Sequence, residues 1–119
     1  MKEISIFIRP SELTKVTDIL LKHKAGVTFF NIQGTGRTPR ATQEIVHSYQ
    51  TGRSVVPKFV EKTLLVSIVS DTTAPQIIKE ILDSFDLKDE PDGVLFVKEV
   101  SEVYELGSSL KGVEVLVSK

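Results

Sequence analysis

"FVEKTLLVSIVSDTTAPQIIKEILDSF", residues 59–85, sets the fold class. Residues 59–70 are dense in Leu, Val and Ile, as a buried strand requires. From residue 71 the period changes. The DTT run offers capping oxygens, Pro75 suits a first helical turn, and Ile77, Ile78, Ile81, Leu82 and Phe85 recur as one helical core stripe. A charged turn, "DLKDEPDG" (86–93), then leads to a strand, "VLFVKEV" (94–100). This is one strand–helix–strand unit.

Outward from it, the N-terminal half repeats the order. "EISIFIR" (3–9) is a β-branched strand stopped by Pro10. In "SELTKVTDILLKHK" (11–24), Ser11 is placed to cap a helix whose apolar face is Leu13, Val16, Ile19 and Leu20. "GVTFFNIQG" (26–34) returns to strand character. Two βαβ-type halves predict an α+β, ferredoxin-like domain over residues 1–119, with both helices on one face of the sheet. The other face then needs a cover. A homotrimer would supply it, with Ile4, Ile6 and Ile8, or Leu65 with Ser67, expected to bury against neighbouring copies. The tail, residues 101–119, carries "VEVLV" (113–117), which reads as a short strand outside the main sheet.

Composition excludes several classes of function. Fifteen Lys and Arg against sixteen Asp and Glu leave no basic field, which argues against nucleic-acid binding by bulk charge. The absence of cysteine removes disulfides, thiol chemistry and thiolate metal sites. "MKEISIFIRPSE" has too short an apolar stretch for a signal peptide, and no run approaches membrane-spanning length, so a cytoplasmic protein without membrane insertion is expected. No nucleophile, general base or acid–base pair forms a catalytic constellation, and the chain does not read as an enzyme.

The stretch between the halves is different. Residues 35–56 show no helical or strand period and are rich in Thr, Ser, Gly and Arg. A loop of roughly 20 residues in a compact domain is commonly functional. It opens on "QGTGRTPR" (33–40), where glycines free backbone N–H groups to face an anion and Arg37 and Arg40 supply forked cationic donors.

With "ISIFIRP", "GTGR", the long loop, "VPK" and "DGVLFV" in this order, the chain resembles the PII signal-transduction proteins from residue 1 to about 106. The resemblance implies a homotrimer that binds adenine nucleotides in clefts between subunits, often with 2-oxoglutarate. It also implies control of a protein partner, such as a membrane transporter or a metabolic enzyme of nitrogen metabolism, through a long mobile T-loop, here about 37–56. Thr28 matches a threonine close to the adenine. Gly34, Gly36 and Arg37 match the glycine-rich opening of the T-loop, and Lys58 matches a lysine that pairs with 2-oxoglutarate or phosphate. Asp92 and Gly93 match the end of the phosphate-wrapping B-loop.

The chain departs from the family pattern at five positions. Thr38 replaces a Mg²⁺-supporting glutamine, Pro91 a B-loop glycine, Val94 a phosphate-binding lysine, and Glu105 and Gly107 two phosphate-binding arginines. Three cations are lost and one anion is gained. Charge-assisted bonds contribute roughly 1.5–3 kcal/mol each, so the grip on Mg-ATP should weaken. ADP, AMP or ATP are the candidate effectors, with no certain cofactor. The alternatives are a divergent trimer sensing AMP, a cyclic nucleotide or bicarbonate, and an interaction module that has lost its ligand. Arg40, Tyr49 and Arg53 are the candidate partner contacts. Tyr49 is also a candidate for the modification that many family members carry on a T-loop tyrosine. His23 is expected to support the carbonyls at the end of the first helix. His47 has no second ligand at metal spacing.

Overall fold

The computed structural model describes residues 1–35, 44–48, 52–56, 59–88 and 92–117. The elements in chain order are β1 (Lys2–Ile8), a 3-10 turn (Pro10–Glu12), α1 (Leu13–Lys22), β2 (Thr28–Gly34), β3 (Glu44–Ser48), β4 (Gly52–Val56), β5 (Val60–Val69), α2 (Ala74–Asp83), β6 (Gly93–Glu99) and α3 (Val113–Val117). The main sheet has the order β2-β5-β1-β6, and every neighbouring pair is antiparallel. Each strand–helix–strand half therefore has a strand of the other half between its own two. The halves interlock, as a ferredoxin-like sheet requires.

The alternation along β1 and β5 decides which face is covered. Ile4, Ile6 and Ile8 lie opposite Ser67, Leu65 and Thr63, and all six are buried. Val16 and Leu20 of α1, and Ala74, Ile77 and Ile81 of α2, complete this core. Removing each large side chain from water contributes about 1.5–3 kcal/mol. Ile4, Ile6, Ile8, Leu65 and Ser67 thus lie beneath the chain's own helices, and the expectation that they meet neighbouring copies is corrected. Ser67 is satisfied there, its hydroxyl donating to the Gly26 carbonyl at 2.7 Å. In the α2 stripe, Ile78 and Phe85 pack at the margin of the core, whereas Leu82 is 60% exposed and lies outside it.

Four local expectations also change. Ser11 does not cap α1, because Pro10 starts a 3-10 turn that takes Ser11 into its interior and delays the helix to Leu13. At α2 the Ser70 hydroxyl accepts the Thr73 N–H at 3.3 Å, while Asp71 pairs with the N-terminal ammonium at 3.0 Å. The stretch 35–56 contains a hairpin, with β3 and β4 pairing Ile45 with Val55 and His47 with Arg53. "VEVLV" is helical: Gly112, at φ +66°, turns the chain, and the Val115 N–H closes on the Gly112 carbonyl at 3.1 Å. The strand-like pairing in the tail, Tyr104 with Lys111, precedes it.

Candidate functional site

Thr28 and Gly34 are the first and last residues of β2, opposite Val66 and Val60. Six residues apart, they share the face of the sheet that no helix covers. Gly93 begins β6 opposite Ile8, and Asp92 precedes it. Strands β2 and β6 are the two edges of the sheet. Three strand spacings of about 4.8 Å separate them, roughly 14 Å, so one chain does not gather Thr28, Gly34, Asp92 and Gly93 into one pocket. Gly36, Arg37, Arg40, Tyr49 and Lys58 lie outside the described residues, as does much of the T-loop. Arg53 is on β4.

Asp92 is anchored. Its carboxylate accepts from Lys88 at 2.9 and 3.2 Å, and Arg9 lies 3.9 Å away. The hydrogen bond from Lys88 holds its pKa below the usual aspartate value; burial opposes this, and the charges of Lys88, Arg9 and Lys15 reinforce it. Its side chain is 6% exposed, so the carboxylate fastens Lys88 and the start of β6 to Arg9 at the end of β1. A negative charge so committed is suited to shaping an anion loop, not to touching the anion. Gly93 has a steric reason: a Cβ there would lie 1.9 Å from the Phe7 carbonyl oxygen. No other residue fits without moving β1 or β6.

Lys15 was not singled out from the sequence. Its ammonium donates to the Ser84 carbonyl at 3.0 Å, pairs with Glu12 at 3.1 Å, and lies 4.2 Å from the Phe85 ring centroid. It ties α1 to the end of α2. The spacing of Lys88 and Asp92 was the available signal for the anchored turn; Arg9 and Lys15 come from distant sequence and gave none.

The open face of the sheet is apolar across all four strands. Phe30, Val94 and Phe96 are each about half exposed, Leu64, Val66 and Ile68 are half-buried, and the Phe7 and Phe96 rings meet edge to face at 5.8 Å. Two concavities flank the sheet at the Gly34 and Gly93 ends. One, of about 530 Å³, lies beside Asn31, Gln33, Glu61 and Lys62. The other, of about 260 Å³, is an apolar groove between α2 and β6.

The family model for nitrogen regulatory protein P-II matches residues 1–108. This chain belongs to the P-II family. Nitrogen regulatory protein P-II 2 of Methanothermobacter thermautotrophicus is 30% identical over 113 residues, covering 94% of each chain. The nitrogen fixation nifHD1 region GlnB-like protein 2 of Methanosarcina barkeri is 27% identical, covering 94% of this chain and 96% of the relative. Among solved structures, B. subtilis GlnK superposes with a TM-score of 0.72 at 23% identity, covering 97% of both chains. The B. subtilis GlnK-ATP complex gives 0.72 at 22% identity, covering 97% and 96%. This chain therefore shares its ferredoxin-like fold with the two B. subtilis structures, and P-II proteins are regulators rather than enzymes.

Proposed function

We propose that this P-II protein is a homotrimeric regulator that binds a small anionic effector, an adenine nucleotide, in clefts between copies. The placement of Thr28 and Gly34 on one sheet edge and Asp92 and Gly93 on the other carries this reading. Such halves meet only when the β2 edge of one copy approaches the β6 edge of another. The open apolar face supports the same assembly, since it leaves Phe30, Val94 and Phe96 about half exposed. The B. subtilis relative solved with ATP supports an adenine nucleotide as the effector. Gly36, Arg37 and Lys58 are the proposed anion contacts, with Asp92 and Gly93 framing the loop. Arg40, Tyr49 and Arg53 of the T-loop are the proposed contacts with a protein partner, a transporter or metabolic enzyme of nitrogen metabolism. No helix among the described residues is long and apolar enough to cross a membrane.

A smaller or less charged anion than Mg-ATP suits this cleft. Val94 is an exposed apolar side chain where the family pattern has a lysine, and Asp92 already absorbs the nearby Lys88. Titration calorimetry with AMP, ADP, Mg-ATP, 2-oxoglutarate and bicarbonate tests the reading. ADP or AMP should bind best and weaken at least tenfold in Arg37→Ala and Lys58→Ala, one charge-assisted contact being about 1.5–3 kcal/mol. Tight Mg-ATP binding indifferent to both substitutions would reject the site. No binding across the panel would favour a ligand-free interaction module.

A further inference from the structure

We propose that the chain has a further ligand site, for a small organic carboxylate, in the cavity at the Val69 end of the sheet. The cavity has a volume of about 310 Å³, room for about ten waters at ~30 Å³ each, and so for a carboxylic acid of about five carbons. Ala25, Val69 and Leu116 give it apolar walls, and Lys24, Ser70 and Thr73 give it polar ones. Along β5 it lies about 20 Å from the level of Gly93, at ~3.3 Å per residue. Gly34 and Asp92 are also at that other end.

Lys24 decides the chemistry. It follows α1 in a left-handed conformation, φ +58°, and is the one non-glycine residue at positive φ among the described residues. Its N–H donates to the Leu21 carbonyl and the Ala25 N–H to the Leu20 carbonyl, each at 2.9 Å, so the helix ends in a Schellman motif. Glycine is the residue that takes this position without strain, and a lysine there costs stability. Its ammonium is also uncommitted. The nearby carboxylates are taken, Glu80 by Lys22 and His23, and Asp71 by the N-terminal ammonium, and none among the described residues pairs with Lys24. A strained cation without a partner, at the wall of a cavity, is suited to an anion from outside the chain.

The hydroxyls complete the polar side. The Ser70 oxygen accepts the Thr73 N–H at 3.3 Å and lies 2.8 Å from the Thr73 hydroxyl and 3.1 Å from that of Thr72. Three hydroxyl protons serve two bonds among these groups, which leaves one to donate. When Ser70 accepts from Thr72 and donates to Thr73, the Thr73 proton is the one left for a ligand oxygen. The Thr73 and Ala74 N–H groups are already bonded to the Ser70 carbonyl, so recognition falls to side chains. One uncommitted ammonium suits a single carboxylate better than a doubly charged phosphate, and the apolar walls suit a carbon body. Leu116 belongs to α3, beyond residue 108 where the family match ends. A helix of five residues is not stable alone, so a ligand beneath Leu116 would also help to seat α3.

Valerate is the probe, with acetate, valeramide and inorganic phosphate as controls. In amide-resolved NMR spectra of the full-length protein, millimolar valerate should shift Lys24, Ala25, Ser70 and Thr73. Valeramide, which has the body without the charge, should bind at least tenfold more weakly, and acetate and phosphate should also be weaker. Lys24→Gly should lose valerate binding at least tenfold while its melting temperature stays level or rises, because the left-handed strain is relieved. No shift with valerate, equal binding of valeramide, or full binding by Lys24→Gly would overturn the site. Tighter binding of phosphate than of valerate would overturn the carboxylate assignment. A lower melting temperature in Lys24→Gly would show that the lysine serves the fold, and would overturn the proposal as well.

Discussion

The two faces of β5 differ by one residue in register and in everything that surrounds them. Thr63, Leu65, Ser67 and Val69 point under the helices and are buried, whereas Leu64, Val66 and Ile68, between them, remain partly exposed on the open side. The covered face accepts even polar residues: Ser67 donates to the Gly26 carbonyl, whereas the Thr63 hydroxyl is buried without a hydrogen-bond partner. The open face retains Phe7, Phe30 and Phe96 with no helix over them. One face folds the chain; the other is the face that the proposed trimer would cover.

The comparison can be broken most sharply on the covered side. Leu65→Ala should cost about 2–5 kcal/mol of folding stability, read as a drop in the urea midpoint with an unchanged slope. Next comes Gly93→Ala. Its Cβ would meet the Phe7 carbonyl oxygen at 1.9 Å, so a loss of about 1–3 kcal/mol is expected, with the β1–β6 amides exchanging faster. If Gly93→Ala is neutral, the close approach of β6 to β1 is wrong.

On the open face the effect should move from folding to assembly. Phe96→Asp removes the edge-to-face contact with Phe7, about 0.5–1.5 kcal/mol within one copy. Its larger consequence should be a shift to smaller species in sedimentation. A variant as fully assembled as the parent would mean that this face is not an interface.

The smallest expected effect is acid sensitivity of the covered layer. Glu80 on α2 accepts from Lys22 at 2.9 Å and meets the His23 ring at 2.6 Å; these hydrogen bonds hold its pKa below the ordinary 4.5, against the opposing effect of burial. A lowered carboxylate pKa stabilises the fold fully above the unfolded value and is lost as pH falls through the folded one. Stability should therefore decline as pH falls below about 4.5. Glu80→Gln should flatten part of that decline, modestly, because the group is near solvent. A urea series across this range checks it.

Much of the fold was legible because periodicity is local. The alternation Ile4, Ile6, Ile8 and the stripe Ile77, Ile81 each announce a buried face. They do not say what buries it: the alternation of the β1 isoleucines suits a face against other copies as well as one beneath α1 and α2, which is where they lie. Across the sheet, Glu3 and Ser5 beside Phe7 dilute the open face of β1, and its apolar character emerges only when β5, β6 and β2 are set beside it. "VEVLV" shows the opposite limit: β-branched residues favour a strand, but Gly112 turns the chain into a helical turn. His23 likewise meets Glu80 of α2, a partner 57 residues away, instead of carbonyls of its own helix. Of the candidate site, Gly93 has a steric reason that lies one strand away, at the Phe7 carbonyl. The Arg9–Asp92–Lys88 anchor joins distant strands, and only the tertiary arrangement brings it together.

Native mass spectrometry of the unliganded protein at micromolar concentration tests the central claim most directly. In the proposed assembly the open apolar face and the divided site are both completed by partner copies, so a trimer of 119-residue chains is predicted. A stable monomer as the sole species would contradict the shared clefts and the account of the open face together.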